Sequence, residues 1–221
     1  MNRVQKLLAG ATVLAPVYAH AELEVTDSEG RSLDQAIVEI YWPSRATAEG
    51  PRSDDARHEM VQRNATFEPH LMAIDVGDRV AFPNRDTTRH QVYSFSPAKT
   101  FNLDLYLRDT PPPVEFESPG VVVLGCNIHD HMQGFVVVSD APFYATTDDR
   151  GRVDTSAVPD GEHRLRIWHP QLEQTHQQWW EGRFETGQPQ SIALRLEAIP
   201  PEPGAPSALQ QRFRQATGQA R

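Results

Sequence analysis

The amino-acid sequence predicts an all-β protein of the sandwich type. Three observations lead there. Eighteen prolines and thirteen glycines cut the 221-residue chain into short segments. The apolar runs between them are rich in Val, Ile, Phe and Tyr, which suit a pleated, half-buried surface. The body of the chain shows no long apolar stripe at the helical period, and it carries no Gly-rich phosphate loop, nucleophile elbow or fixed-period repeat.

Taken in order, the first 21 residues read as a secretory signal peptide. Arg3 and Lys6 form a positive start, Leu7 to Tyr18 an apolar stretch, and Ala19-His20-Ala21 a small-x-small cleavage site. That stretch is shorter than the about 20 residues a membrane span needs, and no later segment is long and apolar enough to span. "AIVEIYW" at 36–42 is the first strong strand signal. The segment after it, through "RATAEGPRSDDARHE", is polar and charged and reads as a long surface loop. "RVAF" and "HQVYSF" follow as short strands. "VVVLGC" and "GFVVVS" are almost wholly apolar strands joined by the loop "NIHDHMQ". The pattern breaks near residue 140. Beyond it "DDRG" and "VPDG" are turns, and "EHRLRIW" alternates polar with apolar as a half-buried strand does. "SIALRLEAI" is the last strand, and a proline cluster then opens a polar tail. The expected organisation is a signal peptide at 1–21, a β-sandwich domain at 22–140 that contains the loop "NIHDHMQ", a small β-sandwich at 141–198 and a disordered Pro-rich tail at 199–221.

Removing the signal takes away two basic residues, leaving 19 basic against 30 acidic ones, a net charge of −11. Such a chain lacks the basic footprint that nucleic acid requires. It suits solubility and a positively charged protein partner. Export normally goes with disulfides in small domains, yet Cys126 is the only cysteine. A lone thiol in an exported protein is a dimer link, a reactive liability or a metal ligand.

The neighbours of Cys126 favour the last. In "GCNIHDHMQGF", His129 follows at C-x2-H and Met132 at H-x2-M, while His90 opens an upstream strand. Two imidazoles, one thiolate and one thioether are the ligand set of a blue-copper centre, trigonal His2Cys with a long axial Met. Cys126 ends an apolar strand, so its thiolate is held dry at the end of a sandwich, and His90 comes from a separate strand because four ligands from one short loop would be strained. Iron–sulfur clusters need more thiolates than one. Zinc fits less well, because Met is a poor zinc ligand, although zinc could still occupy such a pocket. A Cys–His catalytic dyad needs direct contact and an oxyanion site. Taken singly, Cys126 and Met132 also suit an ordinary core; it is the four together, in this order, that point to copper.

Other residues have plainer readings. His131 sits between two ligands: its functional reading is a second, weaker metal contact or a proton-linked switch that tunes the site, and its plainer one is a side chain pointing to solvent, since adjacent residues of a tight loop cannot all face inward. His58 and His70 flank the polar loop as surface residues. Trp168 and one of Trp179 or Trp180 are expected in the core, with His163, His169 and His176 solvated.

The runs "DVGDRVAFPNRDTTRHQVYSFSPAKTF" and "SPGVVVLGCNIHDHMQGFVVVSDAPFYATTDDRG" resemble the cupredoxin family, closest to the periplasmic plastocyanin-like proteins often labelled methylamine-utilisation proteins. The C-x2-H-x2-M loop also resembles that of amicyanin. The resemblance covers about Phe67 to Gly151. It implies a Greek-key β-sandwich, a periplasmic location and one type 1 copper ion held by His90, Cys126, His129 and Met132. It puts Asn84 and Asp86 in the place of residues that orient the site. Prolines of the amicyanin-type loop are replaced by Ile128 and Asp130, and Asp130, if near the metal, would lower the potential. Relatives often have a second histidine where this chain has Gln91, and another residue at the place of His131. The segment "TTDDRGRVDTSAVPDGEHRLRIWHP" resembles the carboxypeptidase-regulatory or transthyretin-like sandwich, which implies a binding or spacer module. The function implied is single-electron carriage between periplasmic redox proteins, such as a c-type cytochrome or a dehydrogenase, and not catalysis. The alternatives are copper storage, delivery or sensing without redox turnover, and a metal-free interaction module.

Overall fold

A computed structural model describes residues 22–43, 58–129, 131–173 and 176–197. The expected signal peptide, much of the polar loop, Asp130 and the Pro-rich tail lie outside the described residues. The described residues form seventeen strands and no helix: β1 (Glu22–Asp27), β2 (Ile37–Tyr41), β3 (His58–Glu59), β4 (Val61–Arg63), β5 (Thr66–Glu68), β6 (Leu71–Asp75), β7 (Arg79–Ala81), β8 (His90–Ser96), β9 (Lys99–Tyr106), β10 (Val114–Glu115), β11 (Gly120–Gly125), β12 (Gln133–Ser139), β13 (Phe143–Thr146), β14 (Arg152–Asp154), β15 (Glu162–Trp168), β16 (Trp180–Glu185) and β17 (Gln190–Leu194).

The central sheet has five strands in the order β6-β12-β11-β8-β9. Its β11 and β12 are antiparallel neighbours, with Leu124 opposite Gly134 and Gly125 opposite Gln133. Successive residues of a strand point to opposite faces, and here both faces are covered. Val122, Leu124, Val136 and Val138 enter one core with Phe67, Ile74, Val80, Phe82, Val92 and Phe116. Val121, Phe135 and Val137 enter another with Ile37, Leu165, Ile167 and Trp168. This is why "VVVL" and "FVVV" run apolar without alternation, as strands buried on both faces do. The first core is closed by the small sheet β10-β7-β3 and by the hairpin β4-β5.

The second core differs from the sequence expectation. The boundary expected at residue 140 assigns 22–140 to one domain, whereas β1 lies between β14 and β17, and β2 lies between β13 and β15. Residues 22–43 therefore pair with strands that follow residue 140. The physical reason is burial: Leu23, Val25, Val38 and Ile40 share a core with Val153, Leu165, Phe184 and Leu194. The sheets β14-β1-β17 and β13-β2-β15-β16 make a second sandwich, and its four-stranded sheet packs on the central one. Fully buried Trp168 meets Phe135 there, ring centroids 5.3 Å apart, and its indole N–H donates to the His176 carbonyl at 3.2 Å. Trp179 and Trp180 pack partly buried at the margin.

Alongside, the fully buried Glu39 carboxylate accepts from Arg166 Nε at 3.0 Å and Nη2 at 2.5 Å. The Tyr41 hydroxyl lies 2.9 Å from Glu39 and 2.8 Å from Asp140, joining the second sandwich to the end of β12. Among the histidines expected to be solvated, His169 is instead buried, and burial holds its imidazole below the usual pKa.

Trp168→Ala is expected to lower stability by about 3–5 kcal/mol through the cavity it opens. Calorimetry should show Tm falling on the order of 10 °C for a chain of this size. A fall of a degree or two would show that the contact between the two sandwiches contributes little.

Candidate metal centre

The loop between β11 and β12 leaves the sheet at Gly125 and rejoins it at Gln133, so its two ends are held side by side by the ladder. A turn closes it, the Met132 N–H donating to the His129 carbonyl at 2.9 Å. His90 opens β8, the strand hydrogen-bonded to the other side of β11. Three strands of one sheet thus deliver His90, Cys126, His129 and Met132 to one end of the sandwich.

His90, Cys126 and His129 come together there, their ligand atoms all within 4.8 Å of one another. Cys126 Sγ lies 3.8 Å from His90 Nδ1 and 3.9 Å from His129 Nδ1. An ion about 2.1 Å from each nitrogen and 2.3 Å from sulfur, in a trigonal plane, sets nitrogen and sulfur about 3.8 Å apart. The spacing therefore fits an ion between them. The His90 and His129 rings are 4.9 Å apart, centre to centre. Met132 is buried in the apolar cluster that also holds Cys126, Val92, Leu124 and Phe82. His90 is fully buried, while His129 keeps a partly exposed edge. His131 is exposed, as its position in the loop predicts, with its ring edge-on to His129 at 6.0 Å.

The upstream residues are tightly organised. Asp86 Oδ2 lies 2.6 Å from His90 Nε2, and a carboxylate acceptor there favours the tautomer with its proton on Nε2 and its Nδ1 lone pair open to a metal. Burial works against the Asp86 charge, but hydrogen bonds from the Ala65 N–H, His90 and the Asn64 N–H outweigh it and hold the carboxyl below its usual pKa. Asn84 is buried and shapes the approach to His90. Its amide donates to the carbonyls of Thr88 (3.0 Å) and Tyr106 (2.8 Å), and its oxygen accepts from the Asp86 N–H (2.9 Å).

Sequence reasoning missed several supporting residues. Tyr106, paired with His90 across β8 and β9, donates its hydroxyl to the Phe82 carbonyl at 2.6 Å and meets the Gln62 amide. Burial pushes its phenol well above the usual pKa. Gln62, fully buried in β4, donates to Phe82 O at 3.2 Å. The signal that could have found the packing around the loop is the pair of glycines that flank it. A Cβ at Gly125 would lie 2.8 Å from the Tyr93 ring, and one at Gly134 would lie 3.0 Å from Phe67.

One end of the β-sandwich thus brings two imidazoles and a cysteine sulfur together, with a thioether buried in the same cluster as that sulfur. Comparison with solved structures finds cupredoxins. A variant of amicyanin in its reduced Cu(I) form is 23% identical, covering 46% of this chain and 98% of that one at a TM-score of 0.36. A purple cupredoxin from Nitrosopumilus maritimus is 26% identical, covering 38% of this chain and all of that one at 0.32. A copper-containing nitrite reductase from Thermus scotoductus, an enzyme, is 22% identical, covering 45% of this chain and 25% of that one at 0.37. No protein-family model and no curated protein matches the sequence.

Replacing His90 by Ala is expected to abolish stoichiometric metal binding in titration calorimetry, whereas His131→Ala leaves stoichiometry at one ion and affinity within about threefold, since its side chain lies in solvent. Loss of binding in His131→Ala would place that imidazole among the ligands.

Proposed function

We propose that this chain is an exported, mononuclear type 1 copper protein that carries single electrons between periplasmic redox proteins, such as a c-type cytochrome and a dehydrogenase. The observation that carries the reading is the spacing of Cys126 Sγ from the two Nδ1 atoms, 3.8 and 3.9 Å, with Met132 buried in the same cluster. Copper, when bound, supplies the one-electron couple.

The chain's own residues make that couple usable. Cys126 offers a thiolate that apolar side chains keep dry. With copper bound, His90 and His129 would be its nitrogen donors, and Met132 would offer a weak thioether that tunes the potential. The ladder of β11 and β12 holds both ends of the ligand loop, so the ligands need not rearrange when the charge on the ion changes. The partly exposed edge of His129 gives electrons a way in and out. Four protein ligands leave no open position for a substrate, which argues for a carrier and against an enzyme.

The reading is tested by loading the protein with Cu(II) and recording its visible spectrum. An intense thiolate-to-copper band that disappears in Cys126→Ser is expected. A fully loaded sample without that band, or a band that survives in Cys126→Ser, refutes it. Stopped-flow mixing with a small redox partner then separates roles: rapid reversible electron exchange is expected, while copper transfer to an acceptor without such exchange indicates delivery.

A further inference from the structure

The hairpin β4-β5 is unexplained by the ligand set, yet it is built onto the site. Its tip is a two-residue turn between Arg63 and Thr66, with Asn64 and Ala65 both at a φ of 53°. That left-handed pair matches the twist of a tight hairpin and turns both backbone N–H groups to one side. They meet Asp86: Asn64 N–H donates to Oδ1 at 2.7 Å and Ala65 N–H to Oδ2 at 2.9 Å. Oδ2 also faces His90 Nε2 at 2.6 Å. The hairpin is anchored independently of Asp86. The Gln62 N–H donates to Pro83 O and the Arg85 N–H to Gln62 O, both at 2.9 Å. Phe67 packs where a side chain at Gly134 would stand. One carboxylate therefore joins the turn of a fixed hairpin to the one fully buried member of the His90–Cys126–His129 cluster.

We infer that Asp86 is a positioning residue that makes the Val61–Glu68 hairpin part of the metal centre. Its carboxylate, held by the two N–H groups of the turn, fixes His90 in the tautomer that leaves Nδ1 free and adds a negative charge that favours the oxidised ion. The inference rests on the copper reading above for its redox half only. A neutral imidazole has one donor and one acceptor nitrogen, and an anionic acceptor on Nε2 decides which is which. Cu(II) carries one more charge than Cu(I), so a fixed anion stabilises it more.

Two variants of the full chain test this. Asp86→Ala removes the acceptor and the charge. Asp86→Asn keeps the shape and one acceptor oxygen but removes the charge. In metal-free protein, nitrogen NMR of His90 is expected to show the proton on Nε2 in the wild type and in Asp86→Asn, and a mixture of tautomers in Asp86→Ala. In copper-loaded protein, Cu(II) affinity is expected to fall about 10–100-fold in either variant, and Cu(I) affinity by less, so the midpoint potential rises. A tenfold gap between the two losses corresponds to about 59 mV. The inference is overturned if His90 keeps its proton on Nε2 in Asp86→Ala, or if both variants retain the wild-type potential. A purely structural role for Asp86 would lower the melting temperature and leave tautomer and potential unmoved, and that result also overturns it. Failure of the copper reading is visible separately, as a wild-type protein without the thiolate band, and the metal-free measurement still decides the tautomer.

Discussion

The pairing of β11 with β12 is the constraint on which the rest depends. It is a six-residue antiparallel ladder from Gly120–Val138 to Gly125–Gln133, and each of its faces fills a different core. Weakening it would open both cores at once and would release both ends of the ligand loop. The same ladder sets the loop's span: Cys126 and Met132 sit on residues that leave and re-enter paired strands, so their separation is fixed by strand spacing rather than by the loop. His90 gains from the ladder too, because β8 is hydrogen-bonded to β11. A metal centre needs ligands held in place before the ion arrives, and here the sheet does most of that holding.

Much of this was legible in the sequence, because the relevant signals are local. Short β-branched and aromatic runs between prolines and glycines announce strands, and the structure has strands at every run the sequence analysis named. The joint presence of Cys126, His129, Met132 and His90 announces chemistry, and three of the four stand within contact of one another. What could not be read was pairing between distant segments. Nothing in "ELEV" or "AIVEIY" says that these strands lie beside β17 and β15, because a strand's register and partner depend on surfaces far away in the chain. A boundary drawn from a change of pattern at 140 therefore missed the return of residues 22–43 to the second sandwich. The hairpin over His90 was hidden for a related reason. "VQRNATFE" sits at the end of a polar stretch, and its role rests on two backbone N–H groups at positive φ, which leave little trace in side-chain chemistry.

The second sandwich also changes how the central sheet should be understood. A sheet with one face open to water alternates polar and apolar residues. Here the face of Val121, Phe135 and Val137 is dry because Ile37 and Trp168 cover it. Exposed, that face would be a broad apolar surface of the kind that promotes association. Covering it with strands from both ends of the chain ties residues 22–43 and those beyond 140 to the scaffold of the ligand loop. The Glu39–Arg166 pair and the Tyr41 contact with Asp140 then define how the two layers sit, since a buried carboxylate is tolerable only where its charge is met.

Charge at the site follows the same logic. His90 and Cys126 are nearly free of solvent, and a thiolate there without a cation would be strongly disfavoured. Asp86 is the neighbour whose hydrogen bonds favour its charged form. Cysteine and histidine bind a metal only when deprotonated, so an ion at this cluster competes with protons and binds more weakly as pH falls. With a divalent ion bound, the thiolate and Asp86 bring the local charge to zero; with a monovalent ion the sum is −1. A buried, largely apolar environment tolerates the former better. On the copper reading, Asp86 thus pushes towards the oxidised state, while the soft thioether of Met132 pushes towards the reduced one. The working potential of such a centre is the balance of these two, and the hairpin over His90 sits on one side of it.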